Sequence, residues 1–183
     1  MKVKGNLDNF YEYAFPSQAV LVTCKDENNK TNVLTIAWHT TISKKPPLYG
    51  ISVGPTRYSH DLIKNSKEFV VNFVPYVLVD KVHFCGTKSG RNIDKIKHVS
   101  LNLQHVDGFQ TPIIKECYAH LLCKLYKSIK LGDHTFFVGE VVNALYDENA
   151  FVDNILDNKK IQPCYYIGNN NKYTTISETM KRF

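Results

Sequence analysis

Apolar and β-branched residues recur along the chain in short runs separated by polar turns, which is the pattern of β-strands. The first two runs flank a polar segment at 26–30 and are therefore predicted to pair as a hairpin. Pro46 and Pro47 precede the third run, because proline is tolerated at the first residue of a strand. In the first half of the chain we predict strands over residues 19–25, 32–38, 48–53 and 69–74.

Two short helices are predicted among these strands. Residues 59–66 place apolar side chains on one side, and Ser59 is a suitable N-cap. Residues 76–84 follow Pro75 and stop before Gly86, which suits a helix start and a helix end. The chain lacks a Gly-x-Gly-x-x-Gly segment, and its strands do not alternate with long helices, so a Rossmann fold is disfavoured.

The clearest alternation lies at 117–129, where the odd positions are apolar apart from one lysine, as in a half-buried strand. A turn at 131–134 leads into residues 135–145, which are apolar on both sides apart from one glutamate and one asparagine. A strand buried on both faces in so small a chain needs a covering layer, for which a second subunit is the simplest candidate. A further turn is predicted at 169–171. Antiparallel strands with few helices predict an all-β barrel or sandwich.

Length and composition indicate one globular domain, residues 1–183. The chain has 183 residues, of which 43% are apolar and 22% charged, enough for a substantial core. The formal net charge of +6 is dispersed, and no basic run exceeds two residues. We therefore expect a solvated basic surface and no nucleic-acid partner, with attraction of anionic ligands as the useful consequence.

The cysteines and the apolar runs indicate where the protein works. The cysteines are odd in number and include no Cys-x-x-Cys pair, which favours a reducing compartment over a secreted disulfide framework. Neither a membrane span nor the apolar stretch of a signal peptide is present, so a cytoplasmic location without membrane association is expected. His83 and Cys85 have no third ligand close by in sequence, so we predict no metal site.

Three polar clusters, at 35–43, 56–60 and 86–91, suit one pocket for a flat, phosphorylated ligand. The first is a predicted strand whose alternate side chains, Thr35, Ala37, His39 and Thr41, would share one side. Small or hydroxylated side chains let a ring approach the backbone closely. The alternative for this cluster is an edge strand that carries surface threonines.

The second cluster, 56–60, opens the predicted helix at 59–66 and contains Arg57. Unpaired N–H groups at a helix start attract phosphate, and an arginine adds a charged pair of donors. A charge-assisted hydrogen bond exceeds the helix dipole in strength, so Arg57 should dominate. The alternative is a capped surface helix with an incidental arginine.

Taken in order, these residues resemble the flavin reductase-like family, the FMN-binding split barrel, and in particular its flavoredoxin branch. The early pattern of Thr, Trp and Ser ahead of Pro-Pro is matched by Thr35, Trp38, Ser43 and Pro46-Pro47. The further motifs, Arg-x-Ser-His-x-Leu-Ile, Glu-Phe-Val-Val-Asn, Cys-Gly-Thr-x-Ser-Gly-Arg-x-x-Asp-Lys, Gly-Asp-His and Gly-Glu-Val, are matched at 57–63, 68–72, 85–95, 132–134 and 139–141. The family often has phenylalanine and aspartate where this chain has Lys44 and Lys45.

The resemblance implies a Greek-key split barrel, a homodimer, and FMN held near the subunit interface, with NADH or NADPH as the hydride donor. It implies isoalloxazine and ribityl contacts from Thr35, Ala37, Trp38, His39, Thr40, Thr41 and Ser43. It places Arg57, Ser59 and His60 at the phosphate, with Ser89, Gly90 and Arg91 close by, and Tyr58 is a further candidate cofactor-binding residue. His134 matches the family's histidine on the nicotinamide side of the flavin; the alternative is a turn histidine in solvent.

The function that this resemblance favours is NAD(P)H-dependent reduction of flavin, with His134 as the candidate catalytic residue. Hydride and electron chemistry would belong to the flavin, while the protein supplies position and electrostatics. A second hypothesis is a flavoredoxin-type electron carrier, which keeps FMN bound and exchanges electrons with a protein redox partner. A third is a non-catalytic flavin-binding barrel. No nicotinamide-nucleotide motif separates the first two.

Overall fold

The structure is a computed structural model that describes residues 1–168 and 171–177. Asn169 and Asn170, which belong to the turn predicted at 169–171, lie outside the described residues. The described strands are β1 Ser17–Gln18, β2 Val20–Lys25, β3 Thr31–Ile36, β4 His39–Lys44, β5 Pro47–Val53, β6 Glu68–Phe73, β7 Leu103–Val106, β8 Phe109–Ile114, β9 Ala119–Leu131, β10 His134–Tyr146, β11 Phe151–Val152, β12 Ile155–Leu156, β13 Tyr165–Tyr166 and β14 Tyr173–Thr174.

The helices are short and lie outside the main sheet. The α-helices are α1 Tyr58–Ser66, α2 Val79–Thr87 and α3 Lys95–His98, and the 3-10 helices are Leu7–Ala14, Tyr76–Leu78 and Glu148–Ala150. No helix in the described part of the chain has both the length and the apolar character needed to span a membrane.

Seven antiparallel strands form the main sheet, in the order β3-β2-β6-β9-β10-β5-β4. Its two edge strands, β3 and β4, are consecutive in the chain, so residues 37 and 38 must cross from one edge to the other. The sheet curls so that β3 approaches β5. The hydrogen bond from the Ser52 backbone N–H to the Trp38 carbonyl, at 2.9 Å, extends the pairing of β4 with β5 by one residue. The architecture is a split barrel with a few short helices, which confirms the predicted fold class.

Three apolar clusters account for the buried strands, and two of them share β2. Val22, Ile51, Phe69 and Phe137 meet in the barrel interior. Leu21, the neighbour of Val22 in β2, packs instead with Val33, Val82 and Ile114 under α2 and β8. Alternate residues of β2 thus enter different clusters, which explains why its sequence is a continuous apolar run rather than an alternating one.

The cluster at 35–43 is not one strand, contrary to the prediction. β3 ends at Ile36, and β4 begins at His39 at the opposite edge of the sheet. The crossing at residues 37 and 38 breaks the alternation, so Thr35 and Thr41 do not lie in one row.

Two predicted helix boundaries are also wrong. The N-cap of α1 is Arg57, and Ser59 lies inside the first turn, where it is buried and accepts a hydrogen bond from Asn32 Nδ2 at 2.6 Å. Ser59 is therefore used in a tertiary contact rather than in capping.

Gly86 lies inside α2 instead of following it, and a Cβ there would be 3.2 Å from Cβ of Thr35. The absence of a side chain at Gly86 lets α2 pack close to β3.

The long hairpin of β9 and β10 confirms the predicted strands but changes their burial. His120 and Leu122, at even positions, are buried as well as Cys123. Leu122 packs with Phe109 and Ile113 of β8, and His120 is hydrogen-bonded to Asn72 of β6. In β10 the residues from Phe137 to Gly139 are buried, whereas Val142 and Tyr146 are 47% and 56% exposed. Within one chain, the second half of β10 therefore keeps apolar side chains in contact with water.

Candidate functional site

A cavity of about 380 Å³ lies between β3 and the end of β5. All three polar clusters contribute to its wall, together with the start of β10. The predicted site residues that line it are Thr35, Ala37, Trp38, Arg57, Tyr58, Ser59, Ser89, Gly90 and His134. The crossing between β3 and β4, the first turn of α1 and the loop after α2 therefore meet in one place.

The inner end of the cavity is polar. Asn32 on β3 is buried and donates to Ser59 Oγ, which links the edge of the sheet to α1. Gly90 lies against this pair so closely that a Cβ would collide with Asn32 Oδ1. The thiol of Cys24 is next to the same two side chains, and burial raises its pKa to about 12, so it is neutral at physiological pH. The polar atoms of this end are thus fixed in place before a ligand arrives.

Three cations border the cavity, and their environments differ. Arg57 and Lys88 are exposed, whereas Lys95 at the start of α3 is only 4% exposed. None of the described residues that line the cavity is an aspartate or glutamate. The wall therefore favours an anionic ligand.

The outer end is aromatic. The rings of Trp38 and His134 have centroids 5.0 Å apart, and Tyr11 packs edge-on against Trp38 at 5.6 Å. His134 Nδ1 lies 2.8 Å from Asp133 Oδ1, and this hydrogen bond lowers the pKa of the Asp133 carboxyl. Nδ1–H of His134 donates to the Asp133 carboxylate. The other ring nitrogen, Nε2, lies on the side that faces Gly54. A planar group could stack at this end.

Residues from both ends of the chain complete the outer end. Phe15 and Tyr166 line the cavity and pack edge-on, with centroids 5.1 Å apart. They are brought together because β1 pairs with β13. Sequence reasoning missed Tyr11, Phe15 and Tyr166, since no local pattern distinguishes them from other surface aromatics.

Four predicted residues on β4, namely His39, Thr40, Thr41 and Ser43, lie outside the cavity wall in the described structure. Thr40 and Thr41 are exposed on the edge strand. His39 faces the barrel, where Nε2–H donates to the Gln18 carbonyl at 2.8 Å and Nδ1 accepts from the Tyr49 hydroxyl at 2.6 Å. Burial lowers the pKa of His39, which is therefore neutral and structural in this arrangement.

His60 and Arg91 also lie outside the lining residues, but both contact elements of the wall. His60 Nε2 is 2.9 Å from Thr135 Oγ1, which ties α1 to β10. Arg91 donates to the Thr56 carbonyl at 2.9 Å and lies over the Tyr58 ring, 5.3 Å from its centroid. Arg91 thus holds the segment that carries Arg57. In a single chain these two residues position the wall rather than line it.

The fold and the site together define a split-barrel protein with an anion-attracting, partly aromatic cavity, and comparison with known proteins identifies its family. Residues 12–174 match the flavin reductase like domain. The chain belongs to this family. The match includes Phe15 and Tyr166, which lie at the outer end of the cavity.

Individual relatives agree with this assignment. A protein of Archaeoglobus fulgidus is 37% identical over 151 residues, which are 82% of this chain and 84% of the relative. The crystal structure of flavoredoxin from Methanosarcina acetivorans is similar with a TM-score of 0.89 and 27% identity, over 100% of this chain and 95% of that one. An FMN-binding protein from Thermus thermophilus gives a TM-score of 0.83 and 28% identity, over 100% and 98% of the two chains. The resemblance to the flavoredoxin branch is thereby confirmed.

Proposed function

We propose that the protein binds FMN in this cavity and acts as an NAD(P)H-dependent flavin reductase. The observation that carries the proposal is the polarity of the cavity, which has hydroxyls and cations at the inner end and aromatic rings at the outer end. Its volume of about 380 Å³ falls in the range of roughly 300–1,000 Å³ that is typical of small-molecule sites. The similarity to an FMN-binding protein supports the choice of flavin.

The residues present fit an FMN phosphate. Arg57 is the N-cap of α1 and has an exposed side chain, and no side chain caps the helix. The first N–H groups of α1 are therefore free to donate to an anion, and the guanidinium can add charge-assisted hydrogen bonds. Ser59, Ser89 and Lys88 supply further donors on the same wall. We expect the phosphate here and the ring system toward Trp38.

His134 is the residue that we propose to position the nicotinamide. It projects from the turn between β9 and β10 and stacks near Trp38 at the open end of the cavity. Asp133 accepts its Nδ1–H, so the imidazole is held in one orientation. The flavin, when bound, supplies the hydride and electron chemistry. His134 would contribute a contact to the donor nucleotide rather than a proton transfer.

A second candidate function is electron transfer to a protein partner, in the manner of the flavoredoxin that this structure resembles. The observation that favours it is the exposure of Trp38, which is 38% accessible at the outer end of the cavity. A partner protein could approach the ring system there. A non-catalytic flavin-binding barrel would have the same cavity but would not exchange electrons with either donor.

We also propose that the protein is a cytoplasmic homodimer. Tyr126, Val142 and Tyr146 are 59%, 47% and 56% exposed on the hairpin of β9 and β10, and a second copy would remove this apolar surface from water. All five cysteines are buried free thiols, as a reducing compartment allows. Light scattering should give about twice the chain mass of 21.0 kDa. A monomer that still binds flavin would contradict the dimer.

The test of function begins with the purified protein and needs no variant. Flavin fluorescence should show tighter binding of FMN than of riboflavin, which lacks the phosphate. Under anaerobic conditions NADH or NADPH should bleach the bound flavin and then reduce excess free flavin in repeated turnovers. Bleaching without turnover, together with rapid reduction by a protein donor, would favour the electron carrier. Failure to bind either flavin would refute the proposal.

A further inference from the structure

The aromatic wall of the cavity is built from two separate sheets. Trp38 lies in the crossing between β3 and β4 of the main sheet, and its ring is 5.0 Å from that of His134 on β10. Phe15 and Tyr166 form the other part, which depends on the pairing of β1 with β13 in the three-stranded sheet. A flat ligand at this end needs the spacing between the two sheets to be fixed.

His39, the residue after Trp38, makes hydrogen bonds to both sheets. Its Nε2 lies 2.8 Å from the carbonyl oxygen of Gln18 in β1. Its Nδ1 lies 2.6 Å from the hydroxyl of Tyr49 in β5. Both ring nitrogens are used in this way, so the imidazole joins the start of β4 to the smaller sheet.

The carbonyl group that His39 contacts is itself well anchored. Gln18 belongs to the ladder of β1 and β13, in which the adjacent Ser17 pairs with Tyr166. The side-chain amide of Gln18 donates to the Tyr118 hydroxyl at 2.6 Å. A displacement of β1 relative to β4 would therefore move Tyr166 relative to the residue that precedes His39.

The hydrogen bonds of His39 define its protonation state. A carbonyl oxygen only accepts, so Nε2 carries the hydrogen and Nδ1 of the neutral ring accepts from Tyr49. Burial lowers the pKa of His39 and raises the pKa values of Tyr49 and Tyr118, the titratable groups of this hydrogen-bonded chain. Phe73 of β6 packs edge-on against the imidazole and carries no charge. A proton added at Nδ1 would remove the acceptor of the Tyr49 hydroxyl.

We propose that His39 is a positioning residue for the aromatic end of the cavity, which holds Trp38 and Tyr166 at the spacing that a flat ring system requires. The inference rests on the proposed flavin function and deepens it, because the flavin ring is expected at this end. His39 lies outside the cavity wall in the described structure and therefore acts through its neighbour in sequence. Its two hydrogen bonds, one to each sheet, carry the proposal.

The first test uses Trp38 as a probe, because it is the single tryptophan of the chain. In the flavin-free protein, His39→Leu should shift the Trp38 emission to longer wavelength and increase its quenching by acrylamide, since both hydrogen bonds are lost. His39→Gln keeps a donor and an acceptor and should restore the wild-type emission. His105→Leu is the matched control at an exposed histidine of β7 outside the cavity, and it should leave the emission unchanged.

Flavin affinity, measured by fluorescence titration, is the second test. His39→Leu should weaken the binding of FMN and of riboflavin equally, roughly tenfold, because it disturbs the ring end and leaves the phosphate contacts intact. His39→Gln should bind both flavins as the wild type does. This equal loss distinguishes His39 from Arg57, whose replacement should spare riboflavin.

The pH dependence of riboflavin binding tests the same hydrogen bonds in the wild type, and riboflavin has no phosphate that titrates. The pKa of His39 in the folded protein is below its ordinary value of 6.5. Riboflavin affinity should therefore fall as the pH is lowered below 6.5, and it should fall less in His39→Gln. His134 is present in both proteins, so the difference between the two profiles belongs to His39. Circular dichroism checks that both stay folded.

Three results would overturn the role of His39 while the proposed function stands. They are unchanged emission and flavin affinity in His39→Leu, a His39→Gln variant that behaves like His39→Leu, and identical pH profiles for the wild type and His39→Gln. If His39→Leu does not fold, the pH profiles and the emission of His39→Gln decide. Wild-type protein that binds neither flavin would refute the proposed function, and the flavin-free emission would still decide whether His39 positions Trp38.

Discussion

Acidification should destabilise this fold through His120, a buried histidine in β9. The side chain is 5% exposed, and its Nδ1 lies 2.9 Å from Asn72 Oδ1, to which Nδ1–H donates. Asn72 Oδ1 also accepts the Ile114 backbone N–H, so the histidine is part of a buried network that joins β6, β8 and β9. Burial lowers the pKa of His120 from the ordinary value of 6.5 to about 4.

The sign and the size of the effect follow from this pKa. Below pH 6.5 the unfolded chain binds a proton at His120, whereas the folded protein does not until about pH 4. The unfolded state therefore gains protons first, and the free energy of unfolding falls as the pH is lowered through this window. At about 1.4 kcal/mol per pH unit, the full loss is roughly 3 kcal/mol. Above pH 6.5 His120 makes no pH-dependent contribution.

The assay is urea unfolding between pH 4 and pH 7, read by circular dichroism, for the wild-type protein and for His120→Gln. Glutamine keeps a donor for Asn72 and cannot titrate, so subtracting the two pH profiles isolates the histidine from the carboxylates and from His39. We expect the wild type to lose roughly 3 kcal/mol more than the variant over this range. Parallel profiles would show that His120 is solvated or already charged in the folded state, and the reasoning would be refuted.

Three further predictions concern the cavity. Arg57→Ala should weaken FMN binding roughly ten- to hundredfold and spare riboflavin; equal losses for both flavins would falsify its phosphate contact. His134→Ala should slow flavin reduction by NAD(P)H in stopped-flow mixing without changing FMN affinity, and an unchanged rate would favour the electron carrier. Gly90→Ala should force Asn32 away from Ser59, lowering both FMN affinity and, by about 1–3 kcal/mol, the free energy of unfolding; wild-type values in titration and urea unfolding would contradict this.

The strands were predictable where burial has a local periodicity. The hairpin of β2 and β3, the strand after Pro46 and the long β9 all correspond to predicted runs. The prediction failed at residues 37 and 38, where the chain crosses between the two edges of the sheet. Nothing in the local pattern marks that crossing, because Ala37 and Trp38 are not typical turn residues such as glycine, proline or asparagine.

The site was predictable to the extent that its residues are contiguous in sequence. Arg57 and Ser59 lie in one cluster and do reach the cavity. Lys95 was missed, since its burial depends on the packing of α3 against the sheet, and a lysine in a short segment with Asp94 and Lys97 looks exposed in sequence. Tyr11 was missed for a similar reason, because only the tertiary fold brings it to Trp38.

The pairing of β1 with β13 affects when a ligand can be enclosed during biosynthesis. At roughly 5–20 residues per second, about eight to thirty seconds separate the synthesis of Tyr11 from that of Tyr166. Until Tyr166 has emerged from the ribosome and docked against Phe15, the outer end of the cavity has only part of its aromatic wall. The aromatic closure of the cavity therefore belongs to the last stage of folding, after the inner end built by β3, α1 and the loop after α2 has been synthesised.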